Sequence, residues 1–180
     1  MEKWKTRKTD KLIDTHWVKV RRDEVELPNG QSIEDFYAIT INDAAAIVAL
    51  DDVGNIILKK EYRYCYDRDL IEIPAGTFEE GETDGVSVAK RELLEETGYI
   101  SDDWQYLGAT VESSAKLTNY MHIYFANHCR RVAEQHLDAT EELEVLLVPL
   151  RQAVDMVMKN EICCNSSAHG ILCVARMCGV

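Results

Sequence analysis

Residues 76–99 read GTFEEGETDGVSVAKRELLEETGY, and the rest of the chain is best interpreted outward from them. The turn Pro74-Ala75-Gly76 lets backbone approach the helix beyond it closely, and Gly98 stands where a left-handed helix end is expected. Between them the pattern predicts a helix over residues 86–97. Glu95 and Glu96 lie three and four positions beyond Glu92, so at 3.6 residues per turn the three carboxylates project from nearly one face. Like charges so spaced destabilise a bare helix by about 0.2–0.5 kcal/mol per pair. A hard divalent cation removes that cost by accepting their oxygens. Three glutamates alone more often mean a solvated acidic face. Arg91, set among the acids where it can clamp a carboxylate bidentately, turns the reading toward a metal site.

The stretch resembles the signature of Nudix hydrolases, G-x5-E-x7-R-E-U-x-E-E-x-G-U with U apolar. Gly76 and Glu82 fit its first half, and Arg91, Glu92, Leu93, Glu95, Glu96 and Gly98 its second, with Tyr99 in the last position. One departure is visible: eight residues, Thr83 to Lys90, separate Glu82 from Arg91 where the pattern has seven. An extra loop residue near Gly85 absorbs this and keeps the helix register, while the aim of Glu82 becomes the open question.

Composition bounds the function. The 180 residues suit a single enzyme-sized domain, and 46% hydrophobic content supplies a core. Twenty basic against 32 acidic residues give a net charge of -12, which argues against a broad nucleic-acid or acidic-membrane surface. An acidic enzyme acting on anionic phosphates must bring in metal ions. The polar start MEKWKTRKTDK has no apolar signal region and no run reaches the ~18 apolar residues of a membrane span, so a soluble cytoplasmic protein is expected. Six scattered cysteines form no C-x-x-C pair, which disfavours structural zinc.

Along the chain, alternation predicts strands over 17–22 and 33–41 around the Asn29-Gly30 turn, a hairpin arm before the core. Further strands are expected over 44–50, 56–62, 70–73, 104–111, 121–127 and 144–148, with a polar loop over 112–119. Helices are expected from Pro149 and over 167–177. Strands mixed with covering helices indicate an α/β fold, an α/β/α sandwich with a mixed sheet. The Nudix resemblance implies the same architecture.

The flanks narrow the resemblance. Lys60-Glu61-Tyr62-Arg63-Tyr64 followed by Leu70-Ile71-Glu72-Ile73-Pro74-Ala75-Gly76 is similar to ADP-ribose and nucleotide-sugar pyrophosphatases. What the resemblance implies is Mg2+- or Mn2+-dependent hydrolysis of a nucleoside diphosphate sugar, ADP-ribose foremost. It also implies an arm over residues 1–42 that dimerises and completes the substrate pocket, and a Nudix domain over 43–180. By the same carry-over Ala75, through its carbonyl, and Glu92 and Glu96 are metal ligands, and Glu95 binds a further ion or activates water. Arg63 contacts a phosphate or the terminal ribose, or is an ordinary surface arginine. Glu72 touches substrate or pairs with Arg63. Phe36 or Tyr37 is the candidate for stacking the base. The loop Glu112-Ser113-Ser114-Ala115-Lys116-Leu117-Thr118-Asn119-Tyr120 lacks the Ser-Pro-Gly stretch and late acid of those enzymes. Either Glu112 substitutes as base or Glu95 suffices, Lys116 or Asn119 is a candidate phosphate contact, and His122 is expected to be structural. Another diphosphate substrate (a dinucleoside polyphosphate, a coenzyme or capped RNA) and a non-catalytic nucleotide sensor are the alternatives. The missing basic stripe makes RNA the least favoured partner.

Overall fold

The computed structural model describes all of residues 1–180, in two compact units: residues 1–43 with 111–120, and residues 44–110 with 121–180.

In the first unit β1 (Lys5–Asp14), β2 (Lys19–Glu26) and β3 (Ser32–Thr40) form an antiparallel sheet in that order. The Asn-Gly turn closes β2 onto β3, with Gly30 at φ +84° and its N–H donating to the Leu27 carbonyl at 2.9 Å. The arm is therefore three-stranded, where alternation predicted a two-stranded hairpin. β1 escapes a pattern reading because KTRKTDKLID is almost wholly exposed and offers no apolar face. Its partner defines it: Arg22 donates to Asp10 at 2.7 Å, Thr9 to Asp23 at 2.7 Å, and Arg7 pairs with Glu26. Cross-strand pairs of this kind stabilise a ladder that intrinsic propensity leaves undecided. The expected polar loop joins the same unit, since the Ile39 N–H donates to the Lys116 carbonyl at 2.8 Å and the Thr118 N–H to the Ile39 carbonyl at 3.1 Å.

The second unit has strands β4 (Ala44–Asp51), β5 (Asn55–Arg63), β6 (Arg68–Glu72), β7 (Ala75–Thr77), β8 (Tyr99–Ile100), β9 (Asp103–Thr110), β10 (Met121–Arg131) and β11 (Leu143–Pro149). Its helices are α1 (Gly85–Thr97), α2 (Leu150–Met158) and α3 (Asn165–Cys178). The main path runs β11-β5-β4-β10-β8, with β6 beside β5, β7 beside β4 and β9 beside β10. β4 pairs parallel to β10 and antiparallel to β5 and β7, so the sheet is mixed. β4 reads as an unbroken apolar run because both its faces are covered. Ala45, Ile47 and Ala49 pack with Val88, Ala89 and Leu93 of α1, while Ala46, Val48 and Leu50 pack with Ala153 and Met156 of α2 and with Ile171 and Val174 of α3. That gives the α/β/α layering. No helix is long and apolar enough to cross a membrane.

Candidate active site

Three local devices assemble the site, all within the second unit. β7 pairs with β4 through Ala75 opposite Ala46 and Gly76 opposite Ala45, and the Ile47 N–H donates to the Pro74 carbonyl at 2.8 Å. The glycine turn is thereby fixed beside the face of β4 on which α1 packs. α1 begins at the Asp84 cap, whose carboxylate accepts from the Val86 N–H at 3.3 Å and the Ser87 hydroxyl at 2.6 Å. It ends at Gly98, φ +75°, whose N–H donates to the Leu94 carbonyl at 2.8 Å. α1 runs unbroken from Gly85 to Thr97, so the helix register through Arg91, Glu92, Glu95 and Glu96 is kept. Glu82 still reaches Arg91 at 3.2 Å and accepts from the Glu79 N–H at 2.8 Å.

Glu92 and Glu96 are buried, while Glu95 is partly exposed. Gly76 lies against Glu92 so closely that a Cβ there would collide with its carboxyl group. Arg91 organises this face: one guanidinium nitrogen is 2.6 Å from Glu92 and 3.2 Å from Glu95, and the other bonds Glu82. Glu96 is held from two sides, accepting from the Ala75 N–H at 3.0 Å and pairing with the ammonium of Lys59.

Lys59 had no place among the residues read from sequence. It is 2% exposed, in the middle of β5, and its ammonium also lies 3.2 Å from Glu61. The sequence does hold a signal for it. Ile57, Lys59, Glu61 and Arg63 alternate along one strand, so they share the face that Ile57 buries under α1. Arg63 continues the chain of charges, 2.9 Å from Glu61 and 2.6 Å from Glu72. Glu72 thus pairs with Arg63, one of its two expected uses, and the guanidinium is committed to carboxylates.

Burial pushes the Glu96 carboxyl up to about 7, against the pull of Lys59. It raises Glu92 too, against the pull of Arg91. Lys59 is itself held above its ordinary value: burial works to lower it, and the charge and hydrogen bond of Glu96 outweigh that. Burial thus outweighs the pull of a lysine and an arginine at both carboxyls. The donors are all hard oxygens, Glu92, Glu95, Glu96 and the Ala75 carbonyl, a set that fits a divalent cation. As the side chains stand, no three His, Cys, Asp or Glu converge on a common point, and Arg91 and Lys59 are paired with the acids. An ion at this set must take over part of those pairings.

His122 is 3.1 Å from the Tyr106 hydroxyl and packs against the Phe78 ring. Phe36, Tyr37, Glu112, Lys116 and Asn119 belong to the first unit. There the Phe36 ring already has Trp4 edge-on at 5.8 Å and the Lys116 ammonium over its face at 4.7 Å, while Tyr37 is exposed. Glu112 is raised by burial, and its Oε1 is buried without a hydrogen-bond partner.

Residues 40–162 match the NUDIX domain, and residues 4–39 the nucleoside diphosphate sugar hydrolase N-terminal domain. The chain belongs to the Nudix family. It is a hydrolase acting on diphosphate bonds, in a family that generally uses divalent metal ions. Among its relatives, the ADP-ribose pyrophosphatase of Bacillus subtilis is 33% identical over 83% of this chain and 80% of that one. The methanol dehydrogenase activator of Bacillus methanolicus is 31% identical over 88% and 85%. The crystal structure of an ADP compounds hydrolase shares the fold, with a TM-score of 0.83 at 20% identity over 98% of this Nudix chain and 95% of that one.

Proposed function

We propose that the substrate is a nucleoside diphosphate sugar, ADP-ribose foremost, hydrolysed with Mg2+ or Mn2+ to AMP and a sugar phosphate. The N-terminal match and the relatives named ADP-ribose pyrophosphatase support the substrate class. The observation that carries the chemistry is the buried pair Glu92 and Glu96 under the Ala75-Gly76 turn, with Gly76 packed against the Glu92 carboxyl and the Ala75 N–H on Glu96. Glu92, Glu96 and the Ala75 carbonyl would hold the ion, which when bound offsets phosphate charge and lowers the pKa of water. Arg91 keeps Glu92, Glu95 and Glu82 in register. Glu95, partly exposed, takes a proton from the attacking water. The water oxygen bonds to one phosphorus, the P–O–P bridge breaks, and the bridging oxygen leaves with the other phosphate. Glu112 is the second candidate base, favoured by its raised carboxyl and its buried, unpartnered oxygen. Arg63, held between Glu61 and Glu72, would exchange one of those carboxylates to meet a phosphate or the terminal ribose.

Leu12, Ile13 and Trp17 are exposed on the arm, and we assign them to a homodimer in which two arms cover one another. A monomer by light scattering at micromolar concentration overturns that part. The substrate is tested by incubating the protein with Mg2+ and a nucleotide panel. AMP release from ADP-ribose ahead of dinucleoside polyphosphates, coenzymes and capped RNA is expected. Preferred cleavage of another class would replace the substrate, and no cleavage of any would remove the reading.

A further inference from the structure

We infer that Lys59 is a resident cation of the acidic site, competing with divalent metal for Glu96 and so setting how tightly the chain binds its ions. The inference rests on Glu92, Glu95 and Glu96 being the ion-binding carboxylates, and it adds a residue outside the signature helix. Lys59 is buried at 2% exposure on the strand face turned toward α1, with its ammonium against Glu96 and 3.2 Å from Glu61. A lysine is rarely buried without a charged partner, and apolar contacts alone would have been met by another isoleucine or valine in this run. Its ammonium delivers one positive charge to the carboxylate that is buried deepest in the site. A divalent ion reaching Glu96 must share or displace that contact. Glu61 sets a second carboxylate 3.2 Å from the ammonium, its Oε2 buried and free of hydrogen bonds, and Arg63, 2.9 Å from Glu61, ties the same chain of charges to Glu72. Lys59 therefore has somewhere to lean when Glu96 is engaged, which a simple buried ion pair lacks. Lys59 is a positioning residue for the ion, with no contact to substrate implied.

The test uses Mn2+ alone, without substrate. Purified parent, Lys59→Met, Lys59→Gln and Glu96→Gln proteins are titrated with Mn2+ at about pH 8 by calorimetry and by the electron paramagnetic resonance of free Mn2+, and melted in chelator and in Mn2+. Removing the competing charge should tighten Mn2+ binding by roughly tenfold or more. The Lys59 variants should melt below the parent in chelator and recover in Mn2+, because the ion supplies the charge the lysine gave up. Lys59→Gln keeps a donor for Glu96 and carries the test if the Met variant does not fold. A Mn2+ isotherm unchanged in the folded Lys59 variants, with melting lowered equally in chelator and in metal, makes Lys59 merely structural and overturns the inference. If Glu96→Gln leaves the isotherm of the parent unchanged, the reading of the acidic site itself fails instead.

Discussion

At the residue scale, the site depends on a few atoms that have no slack. Gly76 is not in a left-handed conformation, so alanine suits its backbone, but the added methyl would meet the Glu92 carboxyl. That carboxyl is the end of a flexible side chain and will swing away. Gly76→Ala should therefore fold with a melting temperature near that of the parent while Mg2+-dependent hydrolysis falls by roughly tenfold or more, the scale of a misplaced catalytic group. Paired melting and rate measurements check it, and an unchanged rate would release Glu92 from its role. Glu96→Gln keeps shape and removes a charge, and its rate should fall by roughly a hundredfold in line with losing a metal or base function. Burial holds the parent carboxyl up to about 7, so a neutral side chain suits the position itself, but it leaves the buried Lys59 ammonium with Glu61 as its remaining carboxylate, and the Gln variant in chelator should melt below the parent. A variant that keeps full activity and full response to Mg2+ returns Glu96 to the status of a buried structural acid paired with Lys59.

At the element scale, α1 is aimed by its ends as much as by its apolar face. Asp84 caps the first turn, so losing the cap loosens the start of the helix without touching the carboxylates two to three turns on. Asp84→Ala should cost about 0.5–2 kcal/mol, the usual worth of such a cap. Denaturant unfolding measures this directly, and a neutral result would assign the helix start to packing alone. Leu93, fully buried between Glu92 and the outward Leu94, belongs to the layer that fixes the helix on β4. The same scale shows where pattern reading works and where it stops. α1 and β4 were legible because periodicity, caps and unbroken apolar character all pointed one way. β1 was not, since its ten residues carry no apolar face and exist as a strand only through their pairing with β2.

At the scale of the whole molecule, stability, protons and metal are linked. In chelator the folded chain holds protons on Glu96, raised to about 7, and on Glu92, also raised, at pH values where the unfolded chain has released them. That contribution is fully present below the ordinary glutamate range and is lost as pH rises toward and past 7. Asp10, Asp23, Glu26 and Glu82, all held below their ordinary values, act with the opposite sign at lower pH. Between about pH 5 and 8 the melting temperature in chelator should therefore fall, more gently in Glu96→Gln, and the gain from Mg2+ should grow because the ion binds the ionised forms. A melting series across that range checks it, and a flat profile in chelator would mean that neither carboxyl is held protonated. The sequence by itself determined the Nudix helix, its three glutamates and arginine, the glycine turn before it and the mixed α/β architecture. These are written in local spacing and apolar period, which a single segment carries whole. Only the tertiary structure decided that Lys59 stands against Glu96, that Arg63 is clamped between Glu61 and Glu72, and that β1 completes a three-stranded arm. Each of those depends on partners that folding brings together: Lys59 and Glu96 are 37 positions apart and meet only because β5 and α1 share one buried face.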